Sequence, residues 1–159
     1  MTDFKNEQLE ERKRVGGWLL LLCFALIIGS PLRTLFNIVT SIKAASELFD
    51  LFPGIRNLVY IDSILSIILM ALSIRAGIAL WKIKPNAVEI TKKYLFIFLG
   101  YSVISLFLPF TAGLPAEAND MMLPEVAKGA MQSLIFFGIW YWYLSVSKRV
   151  AATYSSYPL

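Results

Sequence analysis

The sequence contains no histidine and a single cysteine, and only 16% of its 159 residues are charged. Without histidine the chain lacks the commonest general base and the commonest ligand of transition metals. The one cysteine, Cys23, cannot form a disulfide within the chain. Soluble domains are charged at about a quarter of their positions. The composition therefore argues against an ordinary soluble domain.

What the sequence has in abundance is long apolar blocks. Hydrophobic residues make up 57% of the chain, and the mean hydropathy is +0.64. Blocks of about 17 to 25 residues alternate with short charged stretches, which is typical of membrane-spanning helices. The sequence therefore predicts an all-α membrane protein with four transmembrane helices in one bundle. The predicted ranges are about 15–36, 57–81, 87–110 and 129–147, with a cytoplasmic segment at 1–14 and a cytoplasmic tail at 148–159.

Local signals refine these boundaries. Gly29, Ser30 and Pro31 interrupt the first block, and a kink is predicted there because proline removes a backbone hydrogen bond. Asn86 followed by Glu89 resembles a capping box, so the third helix is predicted to begin near residue 87. Residues 40–56 and 111–128 are predicted as the two loops opposite the termini.

Lysine and arginine are distributed unevenly between the two ends of the predicted helices. Ten lie beside the termini or in the linker between helices two and three, three lie in the two other loops, and Arg33 and Arg75 are embedded. The ten are Lys5, Arg12, Lys13, Arg14, Lys82, Lys84, Lys92, Lys93, Lys148 and Arg149. The positive-inside rule therefore predicts that both termini are cytoplasmic.

The fourth block ends in consecutive aromatic residues, Trp140 to Tyr143, just before Lys148 and Arg149. Amphipathic rings prefer the headgroup level of a bilayer. We therefore predict an aromatic belt at the cytoplasmic face.

One face of the second helix carries polar and small residues. At 100° per residue, one stripe contains Asp62, Ser66, Leu69, Ser73, Ala76 and Gly77. This stripe could line a polar cavity, or it could be a tight packing seam, since small and hydroxyl residues allow helices to approach closely. Arg75 points to the opposite side. It could extend to the cytoplasmic headgroups or bind an anion.

Arg33 and Asp62 are the two charged residues expected inside the predicted helices near the outer face. Consecutive antiparallel helices entering near Gly16 and Asn57 place them at similar depth. We therefore predict a salt bridge between them, because an unpaired carboxylate there would be costly. The alternative is that Arg33 reaches the headgroups while Asp62 caps or hydrates the start of its helix.

The sequence offers no catalytic constellation. No nucleophile has a visible base, and neither a metal-ligand spacing nor a glycine-rich phosphate loop occurs. Tyr101, Ser102 and Ser105, like Gln132 and Ser133, could add polar groups to a cavity, but such residues usually form interhelical hydrogen bonds. Cys23 is predicted to be structural, since it lies in an apolar run without a neighbouring cation.

The two ends of the chain resemble a known family. The segments are Gly16-Gly17-Trp18-Leu19, Ser30-Pro31-Leu32 and Ser147-Lys148-Arg149-Val150-Ala151-Ala152-Thr153-Tyr154, together with the basic linker around Pro85. They are similar to a bacterial membrane family catalogued as domain of unknown function number 2569. The resemblance covers residues 12–154. It implies four helices in the bacterial cytoplasmic membrane and brings no activity or catalytic residue.

These observations support a non-enzymatic binding or accessory subunit that contacts lipid or an apolar molecule. The alternative is a small dimeric transporter with Asp62 as its coupling carboxylate, and a membrane enzyme ranks third. The candidate functional or structural polar residues are Arg33, Asp62, Ser66, Ser73 and Arg75. No cofactor is expected. The expected partners are membrane lipids, a small apolar ligand, another membrane protein or a second copy of the chain. Nucleic acid is not expected, because the basic residues flank apolar blocks.

Overall fold

A computed structural model describes residues 15–46, 49, 53–111 and 116–154, excluding the side chains of residues 53, 109, 111 and 116–122. The described residues are helical apart from short turns and contain no strand. The elements are α1 (Trp18–Phe24), a π-helical turn (Ala25–Gly29), α2 (Ser30–Ser46), α3 (Pro53–Trp81), α4 (Ala87–Thr111), α5 (Ala116–Val146) and α6 (Lys148–Tyr154). The predicted all-α class is confirmed.

Three helices in the described part of the chain are long and apolar enough to cross a membrane. They are Trp18–Ser46, Gly54–Trp81 and Ala87–Leu108. The apolar part of α5 is diluted by Gln132 and by tryptophan and tyrosine residues, which lower its hydropathy. Sequence reasoning expected four spans, and the structure supports three by length and composition.

The helices have two distinct ends. The start of α1, the linker 82–86 and α6 lie at one end, which we call the basic end because it carries Lys82, Lys84, Lys148 and Arg149. The C-terminal ends of α2 and α4 and the N-terminal ends of α3 and α5 lie at the other, which we call the distal end. Consecutive long helices therefore run antiparallel.

The first helix is longer than predicted. It continues from Trp18 to Ser46 through Pro31, so the predicted end near residue 36 is wrong. The predicted irregularity around Gly29 takes the form of the π-helical turn Ala25–Gly29. Such a turn shifts the backbone hydrogen bonds by one residue, and this lets the helix pass a proline that cannot donate.

The fourth long helix begins earlier than predicted. α5 starts at Ala116, not near residue 129, and Pro124 lies inside it. The predicted loop is therefore wrong for residues 116–128, while residues 112–115 lie outside the described part. The segment from Ala116 to Leu123 is rich in alanine, methionine, leucine and glutamate, which are strong helix formers. This composition favours a helix on the N-terminal side of Pro124.

The linker between α3 and α4 closes with a Schellman turn. Lys84 N–H donates to the Ala79 carbonyl at 3.0 Å, and Ile83 N–H donates to the Leu80 carbonyl at 3.1 Å. Ile83 has a φ of 48°, a left-handed conformation usually reserved for glycine. A β-branched residue is strained there. Its side chain packs against the core, which offsets that strain.

The predicted start of the third long helix is confirmed, since α4 begins at Ala87. The predicted capping box does not form. Asn86 has a φ of 62°, whereas a helix-capping residue is normally extended. Glu89 instead forms an ion pair with Lys93 at 2.7 Å, one turn further along the helix.

The sequence after the fourth long helix forms a short helix, α6, within the segment predicted as a tail. Ser147 caps this helix by accepting from Val150 N–H at 3.4 Å. The buried Tyr154 donates its hydroxyl to the Leu80 carbonyl of α3 at 2.7 Å. Burial raises the pKa of Tyr154, so its hydroxyl keeps the donated proton.

The hydrophobic core lies almost entirely at the basic end. Leu19, Leu22, Cys23 and Leu26 of the first helix are 0% exposed, whereas none of the residues of α2 is buried. The other buried members come from the ends of α3, α4 and α5 near the linker and from α6: Ala76, Ala79, Leu80, Ala87, Val88, Tyr94, Leu95, Trp140, Leu144, Val150 and Tyr154. Burial is therefore dense in one half of the molecule and sparse in the other.

The two tryptophans of the predicted aromatic belt differ in burial. Trp140 is only 6% exposed and packs against Trp18 with ring centroids 6.4 Å apart. Trp142 is 68% exposed. Trp140 is thus a core residue, and Trp142 is the tryptophan of the pair that faces outward.

Candidate functional site

Ser73 of α3 contacts the π-helical turn. Its buried hydroxyl donates to the Leu26 carbonyl at 2.8 Å. Ser30 N–H donates to the Ala25 carbonyl and Pro31 has no N–H. The Leu26 carbonyl therefore has no backbone donor at the α-helical or the π-helical position. Ser73 supplies that donor and joins the first helix to α3.

Gly77 marks the closest approach between the same two helices. A Cβ atom at this position would lie 2.6 Å from Ile27 Cγ1 and 3.0 Å from Leu26 Cβ. Leu69 and Ala76, on the same stripe, are also buried. From Leu69 to Gly77 the stripe is therefore a packing seam, which is one of the two alternatives considered from the sequence.

The distal part of that stripe forms a polar contact instead. Tyr101 of α4 donates its hydroxyl to Asp62 Oδ1 at 2.5 Å, and Ser66 Oγ lies 3.1 Å from the same hydroxyl. Since the single phenolic proton goes to Asp62, Ser66 is the donor in the second bond. Asp62 and Ser66 are half-buried. Asp62 has no ion-pair partner among the described residues.

Arg33 does not pair with Asp62, so the predicted salt bridge is wrong. Its guanidinium donates to Gln132 Oε1 of α5 at 3.0 Å, and both side chains are exposed. Among the described residues, Arg33 forms this one hydrogen bond. Asp62 accepts a hydrogen bond from the hydroxyl of Tyr101 where the sequence predicts a bond from Arg33.

The register of the first helix explains the missing pair. The contacts of Leu26 and Ile27 with Ser73 and Gly77 fix which levels face each other. These contacts put Leu26 level with the midpoint between Ser73 and Gly77. Seven residues further toward the distal end, the backbone of Arg33 is level with residue 68 of α3, which is about 9 Å short of Asp62 at 1.5 Å per residue. The estimate from the sequence rests only on where each helix is expected to enter the hydrocarbon layer, and it contains no contact between the two helices that would fix their register.

The Arg33–Gln132 and Tyr101–Asp62 hydrogen bonds lie at one level, because the side chain of Arg33 extends from its backbone toward the distal end. Phe96 packs on Phe137 with centroids 5.2 Å apart, and Phe98 packs on Phe136 at 5.9 Å. Continuing this antiparallel register puts Gln132 of α5 level with residues 101 and 102 of α4. We call the group at this level the distal polar layer: Arg33, Asp62, Ser66, Tyr101 and Gln132.

The remaining polar candidates have local roles. Arg75 is exposed and forms no hydrogen bond or ion pair with the described residues, as expected of a side chain that extends along the protein surface. The hydroxyls of Ser102, Ser105 and Ser133 donate to carbonyls of their own helices.

Sequence reasoning missed Tyr154, whose partner is 74 residues away. A signal for its helix is present: Ser147 can cap, and Val150 and Tyr154 are spaced by one turn. This signal predicts a helix within the tail segment 148–159.

The distal polar layer offers charged and hydrogen-bonding groups. It combines a guanidinium, a carboxylate, two hydroxyls and an amide, none of which is arranged as a nucleophile with its base. Among the described side chains, no group of three or more cysteine, aspartate or glutamate residues could hold a metal ion. The layer can bind a charged or polar group that approaches between apolar surfaces.

The fold and this layer define a helical protein with membrane-type helices and a polar site near one end of them. A family model described as "Protein of unknown function (DUF2569)" matches residues 12–155. The chain therefore belongs to this family, as its resemblance had indicated. No curated protein and no solved structure matches it.

Within the structure, two segments that carry the family resemblance meet. Gly17 has a φ of 58°, and a Cβ atom there would lie 3.0 Å from Nη1 of Arg149. The Gly16-Gly17-Trp18 segment thus contacts the segment that forms α6. The contact lies at the basic end, beside the core.

Proposed function

We propose that the chain is a non-enzymatic, multi-pass protein of the bacterial cytoplasmic membrane, with four spanning helices and cytoplasmic termini. It acts as a binding or accessory subunit whose distal half receives lipid or another apolar molecule. The observation that carries this proposal is the contrast in burial: the core is concentrated at the basic end, while α2 contributes no buried residue. A half-packed set of apolar helices leaves surface for a ligand.

The charges of the distal half support the same proposal. Arg33 and Asp62 are each bound to one neutral side chain, Gln132 and Tyr101. A charged group within a spanning helix requires compensation. A ligand or lipid at this level would provide it, and the exposed apolar residues around it would contact the acyl chains.

Lipid analysis of the purified protein tests this function. The protein is extracted in a mild detergent, and the molecules retained after extensive washing are identified by mass spectrometry. We expect lipid or a small apolar molecule in a fixed ratio to the chain. Protein that retains no lipid or apolar molecule after this washing would contradict the proposed binding role.

The proposed topology has an independent test. Single cysteines replace Leu48, Asn86 or Ser155 in a Cys23→Ala background, and intact cells are treated with a membrane-impermeant thiol reagent. Labelling is expected at position 48 and not at 86 or 155. Labelling of position 86 from outside would overturn the orientation, and a Cys23→Ala protein without introduced cysteines controls for background.

A second candidate function is a small dimeric transporter in which Asp62 is the coupling carboxylate. The absence of an ion-pair partner for Asp62 among the described residues favours it, since embedded acids often relay protons. Proteoliposomes loaded with a pH-sensitive dye would show proton movement abolished by Asp62→Asn. Equal proton movement in both proteins would exclude this role for Asp62.

A further inference from the structure

Arg33 and Asp62 carry opposite charges and have binding capacity to spare. A guanidinium presents five N–H donors and a carboxylate about four acceptor positions. In the structure, Arg33 uses one bond to Gln132, and Asp62 accepts one bond from Tyr101. Neither side chain forms an ion pair among the described residues. The ion pair in that part of the chain joins Lys93 and Glu89.

Asp62 lies near the boundary of the hydrocarbon layer, and the side chain of Arg33 reaches toward the same level through its bond to Gln132. Trp81 ends α3 at the basic end. Asp62 is nineteen residues from it, about 28 Å at 1.5 Å per residue. A hydrocarbon core is about 30 Å thick. With the basic end at one headgroup level, the distal polar layer is close to the other.

The surface beside Arg33 is apolar. Leu32 and Phe36 flank it on α2 and are 63% and 69% exposed. Met131 and Ile135 flank Gln132 on α5 and are 63% and 58% exposed. The hydrogen bond between Arg33 and Gln132 therefore joins two helices whose apolar side chains are open beside it. A ligand for this surface has a charged head and an apolar body.

We propose that the distal polar layer binds the headgroup of an aminophospholipid of the distal leaflet, a phospholipid with a phosphate and a primary ammonium. The guanidinium of Arg33 takes the phosphate, and the carboxylate of Asp62 takes the ammonium. Tyr101 and Ser66 orient the carboxylate, and the acyl chains lie along α2 and α5. This inference rests on the proposed lipid-binding function and names its ligand class.

The two protein charges distinguish this lipid from others. Guanidinium and phosphate form charge-assisted hydrogen bonds. A primary ammonium has N–H donors for a carboxylate, whereas a choline headgroup has none. A glycerol headgroup presents no positive charge to Asp62. The expected order of binding is therefore ethanolamine lipid first, with choline and glycerol lipids both weaker.

Native mass spectrometry with competing lipids tests the proposal. The full-length protein is delipidated and offered an equimolar mixture of phosphatidylethanolamine, phosphatidylcholine and phosphatidylglycerol with identical acyl chains. We expect one retained phosphatidylethanolamine, favoured by about tenfold, since of the three headgroups only its ammonium offers Asp62 a charge-assisted hydrogen bond. Equal retention of the three lipids, or preference for phosphatidylglycerol, would overturn the proposal.

Three variants assign the two halves of the headgroup. Arg33→Gln should weaken retention of phosphatidylethanolamine by about tenfold. Asp62→Asn should remove the preference over phosphatidylcholine, and Tyr101→Phe should reduce it while keeping the ring. Arg75→Gln is the matched control, because Arg75 is also exposed on a spanning helix but lies away from the layer. Unchanged selectivity in both Arg33→Gln and Asp62→Asn would refute the assignment.

The outcome separates this inference from the function beneath it. Retention of lipid without headgroup preference would reject the aminophospholipid and leave a lipid-binding protein. Retention of no lipid would reject both. Thermal unfolding of each variant, measured in the same detergent, shows whether it remains folded, and Tyr101→Phe provides a milder change should a charge-removing variant unfold.

Discussion

The basic half and the distal half of this molecule are built from the same four long helices, yet they are packed differently. In the basic half, Leu19 and Leu22 of α1 are completely buried and Gly77 allows two helices to meet closely. In the distal half, α2 contributes no buried residue, and the helices are joined by hydrogen bonds of Arg33 and Asp62. One half thus determines register and stability, and the other keeps polar groups accessible.

The comparison also shows how the halves depend on each other. The Ser73–Leu26 hydrogen bond fixes the register of the first helix. That register places Arg33 beside Gln132 and away from Asp62. The packing of the basic half therefore prevents a salt bridge between Arg33 and Asp62. Both charges then remain available to a ligand.

The largest expected effect comes from removing core volume in the basic half. Leu22→Ala should lower the free energy of unfolding by about 2 to 5 kcal/mol, because it leaves a cavity among fully buried side chains. Leu21→Ala is the matched control, since Leu21 is adjacent and 50% exposed. Reversible unfolding in mixed micelles measures both. Equal losses would mean that the basic half is not a packed core.

Adding volume at the helix seam should have the next largest effect. Gly77→Ala should cost about 1 to 3 kcal/mol, because the new methyl group forces Ile27 and Leu26 to move. Gly138→Ala serves as the control, since nothing lies within 4 Å of the position that a Cβ atom would occupy there. That substitution should be neutral or stabilising. A harmless Gly77→Ala would contradict the close approach.

Removal of the Ser73 hydroxyl should cost about 1 to 2 kcal/mol, because the buried Leu26 carbonyl then loses its donor. Ser63→Ala is the control in the distal half: Ser63 is also buried, but its hydroxyl donates to the Val59 carbonyl within its own helix. We expect its cost to be smaller, since a backbone donor also serves that carbonyl. The same unfolding measurement applies, and a reversed order would refute the role given to Ser73.

The smallest effect concerns the coupling between Arg33 and Asp62. Because they do not form a salt bridge, the costs of Arg33→Gln and Asp62→Asn should add to within about 0.5 kcal/mol in delipidated protein. A double-mutant cycle measures this. A coupling of several kcal/mol would restore the salt bridge that the sequence suggested.

Much of the helical layout follows from the sequence because its signals are local. The start of α4 at Ala87 and the end of α3 at Trp81 agree with the predicted ranges. The predicted helix boundaries are wrong where a residue distant in sequence determines whether a helix continues or forms. The continuation through Pro31 depends on Ser73, and α6 is held by Leu80, which accepts from Tyr154.

The sequence predicts which residues belong to the candidate site, but its prediction of how they pair is wrong. Asp62 and Arg33 were identified because charges in apolar blocks are costly. Their actual partners, Tyr101 and Gln132, were considered only as general polar residues. Choosing between partners requires the helix register, and register depends on packing contacts such as Gly77 against Ile27, which no single segment of sequence reveals.

Hydrogen exchange in lipid nanodiscs tests the contrast between the halves most directly. An isolated helix as short as α6 would not be stable in water, so protection at Lys148–Tyr154 reports docking onto the basic half. We predict that the amides of residues 151–154, which have carbonyl acceptors one turn back, exchange at least about 100-fold more slowly than those at residues 37–46, at the distal end of α2. Rapid exchange throughout α6, or equal protection of the two segments, would contradict a molecule packed at its basic end and open at its distal end.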